Sequence, residues 1–278
     1  MHKPLIVLLL LTSQTLFAQF HFGTFLGGAN YIGELNSDLY KRTKPAIGVS
    51  LNYEVSDRVM LRSGLTVGKV EGADRYSGTE TLKQVRNLHF KSNIVEFSLI
   101  GELTAFNLYN IRWSPYVFAG VGLFRFNPYT DTDSGKVYLK PLSTEGQGLP
   151  GNPEYSLIDL SIPFGGGIKY NINENVRIGL EVGLRKLFTD YLDDVSKTYI
   201  DENELLAYKG QEAVNFSYRG DEYPGGSPAY PAKGAERGNP VTKDWYYFSG
   251  LHLTFRIGGG YGKTDASGKR NKLDCPKM

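Results

Sequence analysis

The sequence predicts an all-β fold, an eight-stranded antiparallel transmembrane β-barrel of outer-membrane type. Three observations predict it. Apolar and polar residues alternate strictly in repeated segments, the connections between those segments are long and short in turn, and no second long apolar run follows the first 18 residues. A membrane span without a helix must be a closed barrel, because an open sheet edge leaves backbone groups unpaired in lipid. The 33 glycines, 19 tyrosines and 15 phenylalanines suit strands and turns better than helices. A net charge of +2, with no basic run interleaved with aromatics, leaves no basis for a nucleic-acid partner.

Residues 1–18 read as a signal peptide. Lys3 precedes the apolar run from Leu5 to Leu11, and Ala18 is a small residue before Gln19. The barrel is expected over 19–257 and a flexible periplasmic tail over 258–278. GGGYGKT at 258–264 has Ile257 where a phosphate-binding loop needs glycine, so it is read as part of that tail.

Eight strands are expected near 20–32, 45–55, 59–70, 90–105, 115–126, 157–170, 176–188 and 245–257. In the second, Ile47, Val49, Leu51, Tyr53 and Val55 share one face, and Ala46, Gly48, Ser50, Asn52 and Glu54 the other. In the seventh, Val176, Ile178, Leu180, Val182 and Leu184 alternate with Arg177, Gly179, Glu181, Gly183 and Arg185. In a membrane barrel the apolar face meets lipid and the charges fill the lumen. Glu96, Glu102, Lys169, Arg177, Glu181 and Arg185 are therefore expected inside, forming a salt-bridged, side-chain-filled interior, since eight strands leave little more room than that. Trp245 and Tyr247 are expected at an aromatic girdle.

The short connections are 56–58, 106–114 and 171–175; the long ones are 33–44, 71–89, 127–156 and 189–244. Outer-membrane barrels place long loops outside and short turns in the periplasm, and an even strand number puts both termini in the periplasm. In the last long loop, residues 189–199 carry Asp190, Tyr191, Asp193 and Asp194 with Leu192 and Val195, which suits a packed segment on the rim that contacts a partner. Residues 203–208 suit a short helix. Residues 219–239, punctuated by prolines and glycines, are expected to be mobile. The acids of this loop do not have the spacing of a calcium-binding loop. No Ser/His/acid set can be placed at one height, and no catalytic residue, cofactor or metal is expected.

Several runs resemble a known family: YIGELN (31–36), RNLHFKSNIVEFSLIGE (86–102), SPYVFAGVGLF (114–124), LKPLSTEGQG (139–148), IPFGGGIKY (162–170) and GLRKLFTDYLDDVSKTY (183–199). Together they look like the outer-membrane barrel family that contains PorG, a component of the type IX secretion system. TEGQG and FTDYLDDVS are the most specific of them. The resemblance implies a non-enzymatic barrel in the bacterial outer membrane that anchors or organises envelope or secretion-system proteins. The alternative is a surface-binding or small-solute barrel unrelated to secretion.

Overall fold

The computed structural model describes residues 19–36, 39–76, 86–224 and 226–257. The expected signal peptide and the expected tail lie outside these residues.

Eight long strands build the barrel: β1 (Phe20–Ile32), β2 (Lys44–Glu54), β3 (Val59–Ala73), β4 (His89–Thr104), β5 (Trp113–Arg125), β8 (Ile158–Asn171), β9 (Val176–Leu187) and β10 (Trp245–Arg256). Each pairs antiparallel with its neighbours in that order. β10 pairs back to β1, from His21↔Arg256 to Ile32↔Trp245, which closes the sheet. The fold is the closed eight-stranded antiparallel barrel expected from the alternation.

The facing follows the period of two. Ile47, Val49, Leu51, Leu65, Val121, Leu180 and Leu251 are exposed on the outside. Their inward neighbours Ser50, Asn52, Glu54, Glu181 and His252 are buried. A sheet whose greasy face is outside and whose charges are inside is arranged for lipid. Trp245, which packs edge-on against Phe164 with ring centroids 6.0 Å apart, marks the long-loop end of the outer face. Phe255 is exposed near the other end. Ten residues at about 3.4 Å each, tilted by about 40°, place these two rings about 26 Å apart along the barrel axis, close to the height of an outer-membrane apolar band. Tyr247 differs from expectation. It is buried, because Tyr40 of the first loop folds over it and donates its backbone N–H to the Tyr247 hydroxyl at 2.8 Å.

The long loops hold structure that alternation could not reveal. A hairpin of β6 (Pro128–Thr132) and β7 (Gly135–Tyr138) continues the wall above β4 through Lys91↔Tyr129 and Ser92↔Pro128. Two short helices follow β9: α1 (Glu202–Lys209), which covers the expected helical stretch, and α2 (Gln211–Ser217). Asp201 caps α1 by accepting the Glu204 N–H at 3.1 Å. Leu205, Ala213, Val214, Leu192 and Val195 from this loop join Tyr31, Phe90, Phe124, Phe126, Tyr155 and Tyr246 in one buried apolar cluster. The loops thus form a folded cap whose core is continuous with the upper lumen.

Within the stretch expected to be mobile, residues 234–238 are tied to Lys197 and Tyr199. Tyr199 N bonds Ala235 O at 2.9 Å, and Arg237 N and Gly238 N bond Lys197 O at 2.9 and 2.8 Å. Arg237 itself is 2% exposed. Prolines and glycines exclude helix and strand interiors, but they do not stop a loop from being held by a buried charge.

Candidate functional site

The lumen is crossed by ion pairs. Arg62 of β3 forks onto Glu181 of β9, with Nη–Oε distances of 2.7 and 3.1 Å, and its Nε lies 3.0 Å from Glu102. Lys169 pairs with the other oxygen of Glu102, and the Tyr116 hydroxyl donates to Glu181 at 2.6 Å. Nearer the cap, Arg185 holds Glu96, which also accepts the Tyr246 hydroxyl at 2.6 Å. At the short-turn end, Arg177 lies 3.5 Å from Glu54, which accepts the Tyr109 hydroxyl and meets His21. All six charges expected inside are buried there. Arg62 belongs with them. It was legible on the inward parity of β3 with Gly64, Thr66 and Gly68.

One further set lies in the lumen. Ser50 Oγ and His252 Nε2 are 3.2 Å apart, and both line a cavity of about 30 Å³ with Glu181. A Ser/His/acid grouping at one height therefore exists, contrary to expectation, because strand stagger brings β2, β9 and β10 level. The cavity has room for about one water molecule and not for a substrate.

Under the cap, the two most specific runs of the sequence lock together. Arg237 donates to Glu145 Oε1 at 2.9 Å, to Asp194 O at 2.6 Å and to Ser217 O at 3.1 Å. Glu145 in turn accepts the backbone N–H of Ser196 at 2.9 Å and of Lys197 at 3.1 Å. Asp194 accepts the Thr144 hydroxyl at 2.5 Å and the Tyr155 hydroxyl at 2.7 Å. Its φ of 67° is in the left-handed region, which aspartate tolerates better than most residues. Burial pushes its carboxyl up to about 6, with Arg237, Thr144 and Tyr155 pulling the other way.

The remaining acids collect beside this lock. The Tyr31 hydroxyl is 2.5 Å from Asp193 and 3.0 Å from Asp244. One hydroxyl proton cannot serve both carboxylates fully. Burial, then the neighbouring acids, hold Asp193 and Asp244 well above the usual carboxylate range. Burial pushes Asp190 up to about 6, and burial with the Asp190 charge pushes Glu34 up to about 7. Glu34, Asp190 and Asp244 each bring a carboxylate oxygen within 4.8 Å of the others. Glu34, inside the run YIGELN, and Asp244 were not singled out as site residues because they lie far from Asp190 along the chain.

Asp190, Asp193 and Asp194, expected in a packed segment on the rim, are 2%, 1% and 0% exposed, and each accepts hydrogen bonds inside the cap. Tyr191 is half-buried and stacks on Tyr155 with centroids 4.5 Å apart.

A family described as Domain of unknown function (DUF6089) matches residues 2–215. Comparison with curated proteins gives no match. Among solved structures, the chain is similar to Neisserial surface protein A (NspA), at 10% identity over 86% of this chain and 97% of that one, with a TM-score of 0.45. It is similar to a major outer membrane protein from Thermus thermophilus, at 12% identity over 86% and 99%, with a TM-score of 0.39. It is also similar to Ail of Yersinia pestis, solved in complex with the heparin analogue sucrose octasulfate, at 9% identity over 85% and 97%, with a TM-score of 0.38. The closed pairing and the facing of the strands establish the barrel independently of these likenesses.

Proposed function

This chain belongs to the DUF6089 family, and on that premise we propose a non-enzymatic role: an outer-membrane anchor whose folded cap is a docking platform for other envelope proteins. One observation carries the reading. The lumen is filled by paired charges while the long loops are packed into a cap with its own core. A filled barrel does not favour solute passage, and a rigid cap presents a surface at little ordering cost. The cap faces the cell exterior and both termini lie in the periplasm. The type IX secretion machinery is the partner we favour, on the resemblance carried by TEGQG and FTDYLDDVS. Both runs meet at Arg237, so in this reading Asp190, Asp193 and Asp194 act by holding the cap in shape, with Tyr191 at its edge.

The test is export. Replacing Asp190, Asp193 and Asp194 with Ala should lower export of secreted cargo at unchanged barrel levels, and secretion components should co-purify with wild type from detergent. Undiminished export at equal barrel levels would overturn the secretion role. An epitope after the exposed Pro228 should be labelled on intact cells and one at the exposed Glu174 should not; the reverse would invert the topology.

A further inference from the structure

We propose that Glu34, Asp190 and Asp244 form a binding site for a hard divalent cation, Ca²⁺, which ties the first loop to both ends of the loop between β9 and β10. One carboxylate oxygen from each residue lies within 4.8 Å of those of the other two. Calcium takes its oxygens at about 2.4 Å, so ligands on opposite sides of one ion stand about 4.8 Å apart. The three oxygens are therefore close enough for a single ion to draw them in by small side-chain adjustments.

A second observation points the same way. Glu34 Oε2 and Asp190 Oδ1 are buried with no hydrogen-bond partner. Asp190 is only 2% exposed, so bulk water does not reach that oxygen freely. A buried carboxylate oxygen is normally met by a donor or a cation. Among the described residues, no arginine or lysine forms an ion pair with Glu34, Asp190 or Asp244. Two cations that act on these acids electrostatically, Arg86 on Glu34 and Lys243 on Asp190, are engaged elsewhere. Arg86 forks onto Asp74 at 2.8 and 2.6 Å, and Lys243 Nζ donates to Pro240 O at 2.8 Å.

The three carboxylates are oriented by the protein. Asn239 N donates to Glu34 Oε1 at 3.3 Å, the Ser196 hydroxyl donates to Asp190 Oδ2 at 2.8 Å, and Leu192 N donates to Asp244 Oδ2 at 3.0 Å. Such outer bonds fix the direction of ligand oxygens in metal sites. A cleft of about 630 Å³, walled by Glu34, Asn239, Thr242 and Lys243, leaves a route from solvent to Glu34. Ligands drawn from three separate chain segments suit the adaptable coordination of calcium better than the strict octahedron of magnesium.

The experiment uses the full chain in detergent after chelator treatment, titrated with Ca²⁺ by calorimetry. One ion per chain is expected, with affinity lowered at least tenfold in Glu34→Gln and in Asp190→Asn, and unchanged in Glu174→Gln, whose exposed carboxylate lies in the turn between β8 and β9. No saturable uptake by wild type, equal affinity in the two variants, or tighter binding of Mg²⁺ than Ca²⁺ would each overturn the site. Should either variant fail to insert, Tb³⁺ on wild type decides. Its luminescence, excited through Tyr31 and its neighbours, should saturate and be displaced by Ca²⁺; an absence of saturable emission would overturn the proposal.

Discussion

In the lumen above its short-turn end, Arg62 sits between Glu102 and Glu181, Lys169 answers Glu102, and Arg185 answers Glu96, so three cations face three anions. At the rim under the cap, Glu34, Asp190, Asp193 and Asp244 gather with Tyr31 and no bonded cation among the described residues. Both regions bury charge away from bulk water. The first balances it within the barrel wall, where lipid outside and packed side chains inside leave no other source of neutralisation. The second leaves it unbalanced where a solvent cleft approaches. The difference teaches that the lumen charges are a structural filling, whereas the rim charges are arranged for something that arrives.

The sharpest way to break this comparison is to unbalance the lumen. Arg62→Met leaves Glu181 and Glu102 facing each other with Lys169 bonded to Glu102 and Tyr116 to Glu181, and removing one partner of a buried pair costs about 3–5 kcal/mol. Urea unfolding in lipid vesicles should register that loss, and an unchanged midpoint would remove the lumen network from the account of stability. Leu180→Arg tests the outer face. Leu180 is 59% exposed toward lipid, and an arginine there should cost about 2–4 kcal/mol near the midplane. Normal insertion of that variant would contradict the facing.

The cap should respond separately from the barrel. Arg237→Met strands Glu145, so the cap should open to protease while the heat-resistant folded form of the barrel persists. Simultaneous loss of both would mean that cap and barrel are one cooperative unit. The smallest effect is one of pH. Asp194 is held up to about 6 by burial, against about 3.9 for an unfolded aspartate. A raised carboxyl pKa means that the folded cap binds the proton more tightly. Its stabilisation is then full below about pH 4 and is lost as pH rises through about 6. Cap resistance to protease should therefore fall between those values, and Asp194→Asn should flatten the fall; an identical profile in the variant would assign the change to other groups.

Much of the barrel was legible before any tertiary contact was known. The eight strands lie within a few residues of the segments marked by alternation, and Arg177, Glu181 and Arg185 point inward because Val176, Leu180 and Val182 point outward. The candidate site was legible only in half. Asp190, Asp193 and Asp194 stood out as a dense acidic run in a packed segment, but their bonding partners did not, and neither did Glu34 or Asp244.

The reason is one of range. Which face a strand residue takes depends on the period of two and on its immediate neighbours, so the sequence by itself determined the strand number, the facing and the charged lumen. Which charge meets which depends on stagger and on loop packing. Arg237 reaches Glu145 across 92 residues, Tyr31 reaches Asp193 across 162 and Asp244 across 213. Nothing in local composition distinguishes a glycine- and proline-rich loop that hangs free from one pinned by a buried arginine. Closure of the barrel brought the first and last loops together at one rim, and only that closure decided that the cap is folded and that its acids converge.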